Sequence, residues 1–315
     1  MNRYLLARIP FGIFLIALVT LMVELLMIRV FDAILLPNLA YMIISCALFA
    51  FGLAGVYATL RPVSRTADVE KYLAGLSAAL ALACFVQLPL LNLNPFDLRA
   101  VPAQPLLQVL YFMLMYLTVV LPFFFGGLVL ATAFSVYAMQ IRRLYFFDLV
   151  GAALGAVIIV PLLRPLGPGG LLFVATALAL IAAGLFRGRA GYAAVAGVLA
   201  AACVTVPLIG DGYYDFREHL DKRGVQEAAR AGLIERTIWD PVSKIDVVAT
   251  SDPKRGPDFT FKHVAYDGGS QSTYLFPFDG DFADLRQRLN HGAGSGLRDF
   301  TMDAVPLAHW FKADS

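Results

Sequence analysis

The sequence LYFFDLVGAALGAVIIVPLLRPLGPGG, residues 144–170, determines how we interpret the rest of the chain. It is an apolar segment of helical length with one acid, Asp148, near its start. Gly151 and Gly155 lie one turn apart on the same helix face, and small residues at this spacing let two membrane helices approach closely. A carboxylate in lipid costs about 3 kcal/mol, so Asp148 is expected to face protein or water. The stretch predicts a membrane helix at the packing centre of a bundle.

The composition also indicates a membrane protein. Of the 315 residues, 59% are hydrophobic and 15% are charged, and a mean hydropathy of +0.71 is too high for an ordinary soluble chain. Residues 1–209 carry 12 Lys and Arg against 6 Asp and Glu, whereas residues 210–315 carry more acids than bases. We predict a transmembrane helical domain over 1–209 and a polar tail over 210–315. The net charge of +2, with no basic face, gives no reason to expect a nucleic-acid partner.

Several apolar runs approach or exceed the length of about 20 residues that crosses a bilayer. They cover residues 9–28, 39–60, 73–91, 106–139, 144–163, 171–186 and 190–209. The run 106–139 contains Pro122 and Gly126-Gly127, and we predict one kinked helix there. The predicted fold class is therefore an all-α polytopic membrane bundle of about seven helices, followed by a small antiparallel β-rich tail.

Charge predicts the orientation, because cytoplasmic loops are enriched in Lys and Arg. If all of these runs cross the membrane, one side of it carries Arg29, Arg99 and Arg164. The other side carries Arg3, Arg8, Arg61, Arg65, Lys71, Arg142, Arg143, Arg187 and Arg189. We expect a multi-pass protein of the cell (inner) membrane with a cytoplasmic N terminus, which places the tail outside. The tail would be inside if 106–139 were a re-entrant pair or 190–209 did not cross.

The tail changes from helical to strand character along its length. Residues 214–235 are rich in Arg, Glu and Ala and favour a helix, whereas 245–250 and 259–266 alternate as strands around turn residues at 252–258. Asp267-Gly268 predicts a tight turn, and 273–278 a third strand. A three-stranded meander of this kind buries little surface, so we expect it to need a partner surface. Residues beyond Asp279 show no period.

Three polar residues of the apolar part are candidate sites. They are Glu24, Arg29 and Asp148, and ionisable residues inside a membrane either serve function or pair for structure. Both interpretations stay open for each. Glu24 and Asp148 are expected at different depths, so we do not predict one shared site. The four histidines lie in the tail without ligand spacing, HGAGSG at 291–296 lacks the strand and helix of a phosphate loop, and no metal, cofactor or nucleophile site is predicted.

Four segments together resemble a known family. They are VELLMIRVF at 23–31, LPFFFGGLVLATAF at 121–134 together with the segment 144–170 quoted above, WDPVSKIDVVA at 239–249 and YDGGSQST at 266–273. They are similar to bacterial membrane-bound spermidine synthase (polyamine aminopropyltransferase)-like proteins, in which a multi-pass part precedes a spermidine synthase domain. The resemblance implies that the tail starts the small β-domain of that family, whose hairpin reads Asp-Gly-x-x-Gln-x-Thr. Asp267, Gly268, Gln271 and Thr273 match this pattern.

The chain also departs from the pattern that the resemblance implies. Asp148 stands where Asn is expected, and Ile245 stands in place of the Gln that contacts the cofactor. Residues 276–287 lack the expected Tyr-His-Glu segment, and Ser315 is reached about where the methyltransferase-like domain would start. That domain handles decarboxylated S-adenosylmethionine, the cofactor that the resemblance implies. We therefore expect neither catalytic nor cofactor-binding residues in this chain, and no aminopropyl transfer by the chain alone.

Two functions of different class remain. In the first, the chain is the membrane part of a spermidine synthase-like system and serves as an anchor or docking module for a separate methyltransferase-fold catalytic chain. In the second, it is a carrier or binding protein for a cationic amine, works as a homodimer, and uses a carboxylate at Glu24 or Asp148. A degenerate remnant of the family is a third interpretation.

Overall fold

The computed structural model describes residues 3–35, 37–63, 68–209, 216, 223–251, 260–269, 271–275, 280, 281 and 283. Within these residues, five helices are long and apolar enough to cross a membrane, which confirms the predicted membrane class. They are α1 (Arg3–Ile34), α2 (Pro37–Leu60), α3 (Val69–Leu93), α4 (Pro105–Val136) and α5 (Ile141–Arg187). A shorter apolar helix follows them, α6 (Ala190–Ile209). The fourth predicted run forms a single helix with Pro122 inside it.

Helix α5 covers two of the predicted runs and is interrupted at Gly167, whose φ of 64° and ψ of 173° are not helical. In a straight helix, residues 151 and 186 would be about 50 Å apart. Both nevertheless lie against neighbouring residues of α1, because Gly151 contacts Phe14 and the Phe186 ring contacts Gly12. The chain therefore reverses direction at Gly167, and the two halves of α5 run antiparallel beside α1.

The centre of the bundle is α1 rather than the predicted helix at 144–163. In the most apolar 18-residue window of each helix, 67% of the residues are buried in α1 but 22% in α5. Helix α1 has α2, α4 and both halves of α5 as neighbours. The first half of α5 buries a narrow face that includes Gly151 and Gly155, while Phe146 and Leu149 are exposed. Small residues mark a close approach of two helices, but they do not say which of the two lies in the middle.

The contact between α1 and α5 is backbone against backbone. A Cβ atom added to Gly151 would overlap with the carbonyl oxygen of Phe14, and one added to Gly155 would overlap with that of Leu18. The second glycine pair, in α4, serves two neighbours, since Gly126 packs against Thr20 of α1 and Gly127 against α2. The interhelical distances therefore depend on glycine at these positions.

The described part of the tail forms a four-stranded antiparallel sheet with the strand order β1-β2-β3-β4. The strands are β1 (Ile234–Trp239), β2 (Lys244–Ser251), β3 (Thr260–Tyr266) and β4 (Gln271–Leu275). The antiparallel character, β2, β3 and the turn at Asp267 follow the prediction. Strand β4 starts two residues before the predicted strand 273–278, whose residues 276–278 lie outside the described residues.

Strand β1 contradicts the prediction of a helix up to residue 235. The helix here, α7, covers Arg223–Arg230, and IERTIW then pairs with β2. Trp239 is buried, so packing and strand pairing outweigh the helical preference of the preceding residues. The predicted turn at 252–258, the glycine-rich loop at 291–296 and His219, His291 and His309 lie outside the described residues.

The stability of the sheet is expected to fall in mild acid because of His263 on β3. Burial lowers the pKa of this imidazole below its ordinary value, so the folded sheet favours the neutral form. The stability that neutral His263 contributes is fully present above about pH 6.5, the pKa of histidine in the unfolded chain. It is lost as the pH falls through the lower pKa of the folded state. Thermal unfolding of the detergent-solubilised chain at pH 7.5 and pH 5.5 tests this. His263→Asn should reduce the difference in the free energy of unfolding between the two pH values. For a half-exposed group we expect this reduction to be less than about 1 kcal/mol. An unchanged dependence would contradict the assignment.

Candidate functional site at the junction of bundle and sheet

Arg29, near the end of α1, joins the bundle to the sheet. Its Nη1 donates to Oδ2 of Asp32 at 2.5 Å, and its Nη2 donates to Oδ1 of Asp267 in the turn between β3 and β4. The side chains of Arg29 and Asp267 are 12% and 21% exposed, so this ion pair is largely removed from solvent. The sheet therefore lies at the end of the bundle where α1 finishes.

The turn holds the Asp267 carboxylate in place. Asp267 has a φ of 49°, a left-handed conformation that Asp tolerates better than most residues, and Gly268 follows at 68°. Oδ1 of Asp267 also accepts a hydrogen bond from the backbone N–H of Lys244 at 2.8 Å. Oδ2 accepts one from the Ser243 hydroxyl at 3.3 Å. Both carboxylate oxygens are thus bound, one by the start of β2 and by α1, the other by Ser243.

A second ion pair lies beneath the first, inside the sheet. Lys244 Nζ donates to Oδ2 of the fully buried Asp246 at 2.8 Å, and the Thr237 hydroxyl donates to Oδ1 at 2.7 Å. The Lys244 ammonium also lies 5.6 Å from the centre of the Trp239 ring, within the range of a cation–π contact. Trp239 in turn belongs to the same hydrophobic cluster as the buried residues of α1.

We call this set the junction cluster. Its members are Arg29, Asp32, Trp239, Lys244, Asp246 and Asp267. Each of its carboxylates is paired with a cation, so the cluster fastens two parts of the chain together rather than presenting a charge to a ligand. Two buried donors, Arg29 Nε and Trp239 Nε1, have no acceptor within the described residues.

The structure keeps the predicted intramembrane acids apart. Gly151 packs against Phe14, so Asp148 lies near the depth of residue 11 of α1, about 20 Å from Glu24 along the helix axis. Both acids are partly buried. Neither forms a hydrogen bond or ion pair with any residue of the described segments. Arg29 is the one of the three predicted polar residues that the fold brings into a cluster.

The four residues that match the family hairpin lie in one β-hairpin. Asp267 and Gly268 form its turn, and Gln271 and Thr273 on β4 are paired with Tyr266 and Val264 of β3. Asp267 thereby has a structural task, which is to receive Arg29.

Sequence reasoning missed Trp239, Lys244 and Asp246 as members of this site. One signal was present, since Lys244 and Asp246 are two residues apart and therefore share a face of the strand. An ion pair on the buried face of a strand indicates a special environment, because unpaired charges are rarely buried.

Among the residues that the structure describes, no three His, Cys, Asp or Glu side chains are placed to hold a metal ion. No family model, curated protein or solved structure matches this chain. The junction cluster, the direction of the helices and the distribution of charge are therefore the features from which function has to be inferred.

Proposed function

We propose that the chain is a membrane anchor and docking module, in which a helical bundle holds a small β-domain in a fixed orientation for a separate catalytic chain. The observation that carries this proposal is the junction cluster. A tail that merely trails from the membrane would need no buried ion pair, because charges removed from water are costly unless they are well paired. Here Arg29 and Asp267, 238 positions apart in sequence, are paired and largely buried.

The reversal of α5 supports seven membrane crossings. Each half of α5 has about the length of one span, and α6 has 20 residues. An odd number of crossings puts the N terminus and the tail on opposite sides of the membrane. The contacts agree, because Arg8 pairs with Glu70 at the end where α1 and α3 start, whereas Arg29 meets the sheet at the other end.

Charge supports a cytoplasmic N terminus and a sheet on the outer side. The end of the bundle remote from the sheet carries Arg8, Arg61, Lys71, Arg142, Arg143, Arg187 and Arg189. Decarboxylated S-adenosylmethionine, the cofactor implied by the resemblance, is cytosolic. We therefore leave aminopropyl transfer itself out of the proposal and keep the anchoring and docking role.

The docking surface that we propose is the outer edge of β4. Among the described strands this one ends the sheet, in the order β1-β2-β3-β4, and Thr273 and Leu275 on it are exposed. The edge of a sheet offers backbone N–H and C=O groups that pair with a strand from another chain. Because the junction cluster already holds the sheet rigidly, less entropy is lost when such a strand is added.

Photo-crosslinking in cells tests the docking role. A crosslinking amino acid at Thr273 is expected to capture one partner protein on the outer side of the membrane, identified by mass spectrometry. The matched control is Val157, an exposed residue on the apolar face of α5, which should capture no protein partner. Asp267→Asn should reduce capture at position 273. Equal capture at both positions, or none at 273, would contradict the proposal, and capture of a second copy of this chain would favour a homodimer.

A buried amide favours a second candidate, the carrier or binding protein for a cationic amine. Gln87 on α3 is fully buried, and neither of its side-chain polar atoms has a partner within the described residues. Because Arg8 pairs with Glu70 and the two helices run in the same direction, Gln87 lies near the depth of Glu24. A polar layer at this depth would suit an amine.

The carrier candidate makes its own prediction for spermidine binding to the chain in liposomes. Glu24→Gln is expected to abolish binding of radiolabelled spermidine, because the carboxylate would supply the charge that the amine requires. Asp148→Asn is the control, since Asp148 lies about 20 Å away along the axis, and it should leave binding unchanged. If wild-type chain shows no saturable binding, the carrier function is excluded.

A further inference from the structure

An open cleft lies at the end of the bundle remote from the sheet. It is formed by the last turn of α2, the start of α3 and the last turns of α4, and it encloses about 270 Å³ including the solvent at its mouth. Its polar groups are the Arg61 guanidinium and the hydroxyls of Tyr72, Thr132 and Ser135, and its apolar wall includes Ala58 and Val63. We call it the Arg61 cleft.

Arg61 is available to a ligand. It is exposed, and within the described residues it forms no ion pair. Two acids of this end are already engaged, since Glu70 pairs with Arg8, and Asp68 with Arg187 at 2.9 Å. Among the residues that the structure describes, the polar lining of the cleft therefore contains a cation without an ion pair and three hydroxyls but no carboxylate. Such a set favours an oxyanion, and a planar guanidinium is especially suited to phosphate.

The position and size of the cleft indicate that its ligand is a lipid headgroup. Arg61 directly follows α2, Tyr72 lies in the first turn of α3, and Ser135 lies in the last turn of α4, so the cleft is level with the ends of the apolar segments. Because the 270 Å³ includes open solvent, the space between the walls is far smaller than the roughly 300–1,000 Å³ of pockets that enclose a whole small molecule. It suits a phosphate group whose acyl chains remain in the bilayer.

We propose that the Arg61 cleft binds the phosphate group of an anionic phospholipid. Basic pockets between helices at the membrane surface are a recognised way of holding anionic headgroups. The proposal is independent of the docking role, because it concerns the opposite end of the bundle and requires no partner protein.

Native mass spectrometry of the detergent-solubilised full chain tests the proposal. The probes are short-chain phosphatidylglycerol, phosphatidylcholine with the same acyl chains, and inorganic phosphate. Arg61→Gln is expected to weaken phosphatidylglycerol binding about tenfold, the effect of losing one hydrogen bond to a charged group. The control is Arg142→Gln, which removes one positive charge from the same end of the bundle but does not line the cleft. It should change binding less than twofold.

The wild-type chain should bind phosphatidylglycerol more tightly than phosphatidylcholine and should not be saturated by inorganic phosphate at the same concentration. Ser135→Ala should produce a smaller loss than Arg61→Gln. Equal effects of Arg61→Gln and Arg142→Gln would overturn the proposal, because the attraction would then belong to the whole basic surface. Competition by free phosphate at equal concentration would overturn the lipid as the source of the phosphate.

Discussion

Gly151→Ala is expected to destabilise the bundle by more than about 3 kcal/mol, which is at the upper end of the usual cost of overpacking. The added methyl group would overlap with the Phe14 carbonyl oxygen, an atom of the α1 backbone that cannot rotate away as a side chain can. Gly155→Ala meets Leu18 in the same way, one turn further along. We expect the double variant to yield no monodisperse protein. Unfolding in detergent, followed by circular dichroism and size-exclusion chromatography, measures this effect.

The matched control is Gly52→Ala on α2. A Cβ atom at Gly52 meets nothing within 4 Å, and alanine favours a helix over glycine by up to about 1 kcal/mol. The same substitution is therefore expected to stabilise the protein at position 52 and to destabilise it at position 151. A Gly151→Ala variant with wild-type stability would show that α1 and α5 do not meet at these residues.

Asp267→Asn is expected to release the sheet from the bundle. The change keeps the size of the side chain and the tolerance of a left-handed backbone, but it leaves the Arg29 charge without its long-range partner. Removing one partner of a buried ion pair costs about 3–5 kcal/mol, and partial exposure of this pair places the expected loss nearer 2–3 kcal/mol. Hydrogen–deuterium exchange should show faster exchange across β2 and β3, while the exchange of α1 to α5 changes little.

A second ion pair on the sheet is the control for this prediction. Lys262 and Glu235 are paired, but their side chains are 52% and 40% exposed. Such surface pairs contribute about 0–1 kcal/mol, so Lys262→Met should barely change exchange. Arg29→Met combined with Asp267→Asn should cost less than the sum of the two single changes, because the two charges interact. Additive losses, or an equal effect of Lys262→Met, would contradict the clamping role of the junction cluster.

Local sequence signals predicted the helices but not the junction. The PLGPGG segment at 165–170 separates two apolar runs, and the structure has its reversal at Gly167. The Asp267-Gly268 pair predicted the hairpin turn correctly, because the backbone angles of such a turn depend on the turn residues themselves. Strand β1 was missed, because IERTIW follows a helix-favouring run of Arg, Glu and Ala, and its burial depends on pairing with β2.

Long-range pairing could not be read from the sequence. Arg29 was identified as a polar residue near the end of the first span, but no periodicity relates it to Asp267, which lies 238 positions further along. The same holds for the central place of α1, since its apolar composition resembles that of the other spans. Burial in a membrane protein depends on which helices surround a given helix, and that information is spread over the whole chain.

The side of the membrane on which the sheet lies tests the central claim most directly. We would add one cysteine at a time, at Thr273 on β4 or at Met139, which is 99% exposed in the short 3-10 helix before α5. The background carries Cys203→Ala and keeps the buried Cys46 and Cys84. Intact cells would then be treated with a membrane-impermeant maleimide. The account predicts labelling at position 273 in intact cells and labelling at position 139 only after permeabilisation. Labelling of both positions under the same condition would contradict the odd number of crossings and the placement of the sheet.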